Sequence, residues 1–277
     1  MSKLEELRDN WEGYAEIDPL WAILTDPDKE NGRWNISDFF AAGRGEIKTV
    51  LDYVKSLNLG VDTIAGPALD FGCGVGRLTQ AMSEYFDPCY GIDISAKMIE
   101  QAKTFNKHPE KCNYIVNTSA DLSVFDSNYF GFIYTSVVLQ HIPYQYTKEY
   151  LKEFVRVLKP GGVLVFQLPD YKEEADTEKQ SLRKMLKIRT RLKHLFRSAE
   201  SAEDGRRSSV YQLKGYELEM NSIQENLVRD IMTQAGAKII DIKLTNSTAP
   251  NFNGNLQYLE EEVAADGYVS KQYCVTK

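Results

Sequence analysis

At 277 residues the chain is long enough for one large core, or for a core with a cap. With 43% hydrophobic and 26% charged residues and a formal charge of −7, it reads as an ordinary soluble globular protein and not as a general nucleic-acid binder; no apolar run is long enough for stable membrane insertion. The charged opening MSKLEELRDN lacks the apolar core of a signal peptide, so a cytoplasmic location is expected, and four cysteines without a CxxC pair beside three histidines predict free thiols and no metal site.

Residues 1–60 read as a helical N-terminal cap rich in aromatics (Trp11, Tyr14, Trp21, Trp34, Phe39, Phe40), with acid in excess. From residue 68 strand and helix alternate. Strands are expected at Ala68–Phe71, Cys89–Ile92, Tyr114–Val116, Phe130–Ser136 and Val163–Leu168, and helices at Arg77–Tyr85, Ala96–Phe105 and Tyr146–Leu158. LKPGG at 158–162 ends the last helix and turns into the next strand. Alternation at this pitch predicts a doubly wound, Rossmann-like α/β sheet with helices on both faces. Residues 171–220 interrupt the rhythm as an insert. Within it, Lys179 to Arg197 carries eight Lys or Arg and no acid, with apolar residues at helical spacing. A helix near Ser222–Ala235 and strands at Lys238–Leu244 and Tyr268–Thr276 complete the chain.

The stretch ALDFGCGVGRLTQAM, residues 68–82, sets three glycines between a strand and a helix. Gly72, Gly74 and Gly76 permit a tight turn that bares backbone N–H groups beside a helix N-terminus, at the carboxyl end of the first strand, where open α/β sheets bind ligands. The register is G-x-G-x-G. A dinucleotide-binding oxidoreductase would place its third glycine at Arg77, and so is disfavoured. Asp93 ends the second strand and suits both hydroxyls of a ribose; its competing reading is a helix N-cap ahead of ISAKMIE. After the third strand, Asp121 can accept from an exocyclic amino group, with Leu122 supplying a backbone N–H and an apolar wall; a turn aspartate is the competing reading.

LDFGCGVGRLT, GIDISAKMIEQAK, TSADLSVF, FGFIYTSVVLQHIP and RVLKPGGVLVF, in this order, resemble the class I S-adenosylmethionine-dependent methyltransferases over about residues 68–170. The resemblance implies S-adenosylmethionine as cofactor, S-adenosylhomocysteine as product, and a seven-stranded sheet whose last strand lies antiparallel between the fifth and sixth. It places Gly72 and Gly74 along the methionine moiety with Asp70 bracing the loop, and Asp93 on the ribose. Ile94 and Met98 pack against the adenine, and Asp121 and Leu122 read its edge. Ser136 and Val137 offer backbone to the methionine amine, and Arg44 pairs with the methionine carboxylate unless it is simply solvated.

Methyl transfer from a sulfonium is an in-line displacement that needs alignment and exclusion of water. A hydroxyl acceptor gains from a general base, and His141 in VVLQHIP is the expected candidate; a structural histidine is the alternative. The expected substrate is a small molecule, methylated on oxygen or else on nitrogen. Acceptor choice falls to the aromatic cap and the insert. The basic run reads as a solvated amphipathic helix, as a contact for an anionic acceptor, or as an attachment to an anionic membrane surface.

Overall fold

In the computed structural model, residues 1–59, 64, 66–171, 195–203, 206–249, 252–265 and 267–277 are described. The Ser2 hydroxyl accepts the Glu5 N–H and the Glu5 carboxylate accepts the Ser2 N–H, a reciprocal capping box that opens α1 (Lys3–Ile17). After α2 (Pro19–Ile23), the Asn35 side chain caps the long α3 (Ile36–Ser56). Strand and helix then alternate through β1 (Ala68–Phe71), α4 (Arg77–Met82), β2 (Cys89–Asp93), α5 (Ala96–Phe105), β3 (Cys112–Val116), β4 (Phe130–Thr135), α6 (Tyr144–Val157) and β5 (Leu158–Tyr171). β6 (Leu195–Glu203), β7 (Arg206–Leu213) and β8 (Tyr216–Ile223) follow, and then α7 (Glu225–Gln234), β9 (Lys238–Thr245), β10 (Tyr258–Leu259), β11 (Ala264–Ala265) and β12 (Tyr268–Thr276).

The main sheet runs β10-β9-β12-β5-β4-β1-β2-β3, with β11 paired to β12. β12 lies antiparallel between β5 and β9, as the resemblance implied. Short β10 and β11 raise the described strands from the expected seven to nine. Alternation along β4 divides the core. Ile133 packs on the α6–α7 side with Phe154 and Met232, whereas Phe132 and Tyr134 pack on the α3–α4 side with Ile47 and Met82. α3 therefore belongs to a helical layer of the sheet, and α1 and α2 are the helices left to cover the carboxyl ends of the strands. Among the described residues, no helix is long and apolar enough to cross a membrane.

The insert departs from expectation. Most of the basic run lies outside the described residues, but its last three residues, 195–197, belong to β6 and not to a helix. β6, β7 and β8 form a separate antiparallel sheet. Lys214 and Gly215, with φ of 50° and 88°, supply the two positive dihedrals of a tight hairpin turn between β7 and β8. Ser222 and Ile223 finish β8, so the following helix begins at Glu225. The hairpin tip rests on the N-terminal helices: Tyr216 meets the Tyr14 ring edge-on at 5.5 Å, Lys214 stands 4.7 Å over Trp21, and Glu217 N–H donates to Asn10 Oδ1 at 3.3 Å.

Candidate active site

The glycine turn after β1 adopts left-handed backbone at Gly72 (φ 72°) and Gly74 (φ 51°). Contacts crowd it as well, because a Cβ on Gly72 would stand 2.5 Å from the Val138 side chain and one on Gly74 2.5 Å from the end of Ile23, so a neighbour would have to shift. The turn is tied to β2 by two N–H donations, from Gly72 and Cys73, to the Ile92 carbonyl at 2.8 and 2.9 Å. Asp93 completes the tie: Oδ2 accepts the Gly74 N–H and Oδ1 the Ser95 N–H, each at 2.9 Å. Burial pushes its carboxyl up to about 6, against backbone donors that favour the charge. Ser95, not Asp93, caps α5, its hydroxyl accepting the Met98 N–H at 3.1 Å. Asp70 lies behind the turn, 1% exposed, and accepts the Thr79 hydroxyl at 2.6 Å; burial raises its carboxyl to about 7.

These elements floor a cavity of about 1010 Å³, open mouth included. Gly72, Gly74, Asp93, Ile94, Met98 and Asn117 line it together with Ser136, Val137 and His141. Leu4, Leu7 and Trp11 of α1 and Ile23 of α2 form an apolar roof. Trp11 stands edge-on 5.9 Å from His141, while Tyr14 and Trp21 pack into the aromatic core between α1, α2 and α3. The Glu12 carboxylate holds the roof to α5 by accepting the Ala96 N–H at 2.6 Å, where the helix N-terminus favours negative charge.

The His141 ring is buried and both its nitrogens are engaged. Nδ1 donates to the Glu219 carbonyl of β8 at 2.6 Å, which leaves Nε2 to accept from Gln140 Nε2 at 3.1 Å. Desolvation lowers its pKa from 6.5 to about 4. Both features weigh against the general-base expectation, since a ring of lowered pKa is a weak base toward a hydroxyl and its lone pair already accepts from Gln140. The imidazole joins the insert to the cavity wall.

Other expectations also change. Arg44 is exposed on the outer face of α3 and does not line the cavity. Arg77, set directly after the glycine turn, is 4% exposed and does line it; Nη2 donates to Glu46 Oε2 at 2.8 Å, whereas Nε and Nη1 are buried without a hydrogen-bond partner. Asp121 is exposed and accepts the Ser123 N–H and hydroxyl at 3.1 and 2.8 Å in a local turn. The Leu122 N–H is spent on Glu153 Oε2 at 2.8 Å and its side chain is fully buried in the core. Asn117, next after β3 as Asp93 ends β2, reaches the cavity in their place. Among the described residues, no group of three or more His, Cys, Asp or Glu gathers to hold a metal.

Residues 69–166 match the family described as a methyltransferase domain. A trans-aconitate 2-methyltransferase of Sinorhizobium fredii is 32% identical over 117 residues, 41% of this chain and 42% of that protein. A demethylmenaquinone methyltransferase of Staphylococcus aureus is 35% identical over 101 residues, 35% of this chain and 41% of that protein. The chain thus spans about two fifths of the length of these curated relatives. Among solved structures, an S-adenosylmethionine-dependent methyltransferase from Clostridium acetobutylicum superposes with a TM-score of 0.58 at 17% identity, covering 95% of this chain and 98% of that one. Magnesium protoporphyrin IX methyltransferase from Synechocystis, with bound SAH, gives 0.57 at 14% identity, covering 98% of each chain. At these identities the likeness establishes the fold.

Proposed function

We propose that this protein transfers a methyl group from S-adenosylmethionine to a small-molecule acceptor, since residues 69–166 match a methyltransferase domain and the chain shares the fold of S-adenosylmethionine-dependent methyltransferases. The observation that carries this reading is the cavity floor, where a crowded glycine turn is held against Asp93. Asp93 keeps lone pairs for ribose hydroxyls, and Ile94, Met98 and Asn117 suit the adenine. Gly72, Ser136 and Val137 border the methionine end. The unpartnered nitrogens of buried Arg77 suit its carboxylate, which replaces Arg44 in that role.

The bound cofactor supplies an electrophilic methyl with an already cationic leaving group. The chain's part is to orient and to exclude water, the second through the apolar roof of α1 and α2; good alignment contributes about 7–11 kcal/mol. Among the described residues that line the cavity, His141 is the only imidazole, and its ring nitrogens are engaged. An acceptor oxygen that is anionic before binding needs no proton removed. We therefore favour O-methylation of a carboxylate or an acidic hydroxyl, the class to which the acceptor named for the Sinorhizobium relative belongs. A neutral amine meets the same condition and is the second reading.

Calorimetric titration of the full chain decides the cofactor. S-adenosylmethionine should bind saturably and NADH should not; binding of NADH alone would overturn the proposal. Carboxylate acceptors should then give methyl esters, which lose methanol on alkaline treatment, as N-methyl products do not.

A further inference from the structure

Val137 is β-branched, yet its φ is +59°, a left-handed backbone that such residues adopt only under constraint. It lines the cavity two residues after β4, and its neighbour Val138 packs over Gly72. One side chain fastens this turn. Gln167, on β5 and 1% exposed, accepts the Val137 N–H on Oε1 at 3.1 Å. Its amide is fixed from the other end, since Nε2 donates both to Gln140 Oε1 and to Ser270 Oγ at 3.1 Å. With the nitrogen so committed, the oxygen is turned toward Val137.

We infer that Gln167 is a positioning residue for methyl transfer: it holds Val137 in a strained conformation so that the backbone at the end of β4 stands ready for the methionine end of the cofactor. Gln167 touches neither cofactor nor acceptor in this role and acts through Val137. The inference rests on the cofactor reading above. It follows from the hydrogen bond and the backbone outlier together, since a β-branched residue would relax toward extended backbone once its N–H is released.

A double-mutant cycle read by calorimetric titration with S-adenosylmethionine tests it, using the full chain as wild type, Gln167→Leu, Val137→Gly and the double variant. Loss of one hydrogen bond that maintains a strained turn should weaken binding in Gln167→Leu by about 10-fold. Glycine adopts positive φ without help, so the double variant should bind within about threefold of Val137→Gly alone. Wild-type affinity in a folded Gln167→Leu, or a double variant weakened as much as Gln167→Leu is against wild type, overturns the inference. Should Gln167→Leu not fold, the double variant decides. Recovery of fold and binding on adding Val137→Gly supports the inference, and failure to recover overturns it. The two readings fail separately: a wild-type protein that does not bind S-adenosylmethionine sinks the cofactor proposal. In that event, faster amide exchange at Val137 in Gln167→Leu still reads the hold on the turn, and unchanged exchange sinks it.

Discussion

Asp93→Ala removes the carboxylate on which the cavity floor closes. Its oxygens accept the Gly74 and Ser95 N–H groups at 2.9 Å each, and each oxygen keeps a lone pair for a ribose hydroxyl. A hydrogen bond to a charged group contributes about 1.5–3 kcal/mol, so losing two weakens cofactor binding by roughly 3–6 kcal/mol, about 10²–10⁴ in dissociation constant. The Gly74 and Ser95 amides lose a partner too, so a fall in melting temperature accompanies the change, and affinity must be read on folded protein. The pH dependence has opposite signs for binding and for stability. The carboxyl is raised from 3.8 to about 6, so its neutral form is the one the free fold favours; that contribution is complete below about 4 and is lost as pH rises through 6. Ribose binding uses the ionised form, so affinity should climb through pH 6 and then level. Asp93→Asn should bind weakly and flatten that rise. Calorimetric titration between pH 5 and 8 measures all three effects, and a folded Asp93→Ala that binds within threefold of wild type refutes the ribose assignment.

Three other outcomes follow from buried charges. Asp70 is raised to about 7, so the stability its neutral form contributes is lost as pH rises through 7; Asp70→Asn should melt progressively higher than wild type between pH 6 and 8.5, and parallel melting curves would count against this. Arg77 and Glu46 form a buried pair, so single removal orphans a charge, whereas Arg77→Met with Glu46→Gln should fold; that double variant should no longer prefer S-adenosylmethionine over its decarboxylated analogue, as calorimetry can check. His141, lowered to about 4, is neutral throughout pH 6–8, so His141→Gln should leave the shape of the kcat/KM profile unchanged over that range; a limb near neutrality that vanishes in the variant would restore the general-base role.

The sheet was legible because each of its elements carries a local signal. Mostly apolar strands such as ALDF and FGFIYT, a glycine turn, and Ser95 capping a helix all act within a few residues of themselves. Gly72, Gly74 and Asp93 follow by position, since the carboxyl end of a parallel strand is where the cavity opens, and the resemblance supplied Ile94, Met98, Ser136 and Val137, which line it too. Asp121 and Arg44 are chemically suitable residues whose direction a sequence does not give: the Oδ1 of one accepts within its own turn, and the other is exposed on α3 and does not line the cavity. Asn117 is marked by its place directly after the third strand, and it is an amide where a carboxylate was expected nearby. The β7–β8 hairpin was legible too. In SVYQLKGYELEMN a Lys-Gly turn pair separates an apolar-rich run from the strict period-2 pattern of YELEMN.

What no local pattern reveals is the polar chain that joins these parts. Ser270 of β12, Gln167 of β5 and Gln140 are linked by hydrogen bonds of 3.1 Å, Gln140 reaches His141 at 3.1 Å, and His141 ends on Glu219 of β8 at 2.6 Å. Its members are spread from residue 140 to residue 270, so only the assembled sheet brings them together. Buried donors and acceptors in series constrain one another, because turning one amide leaves a neighbour unpaired. The consequence is mechanical. Val137 and β8 share one set of hydrogen bonds, so the insert and the turn after β4 are coupled through it.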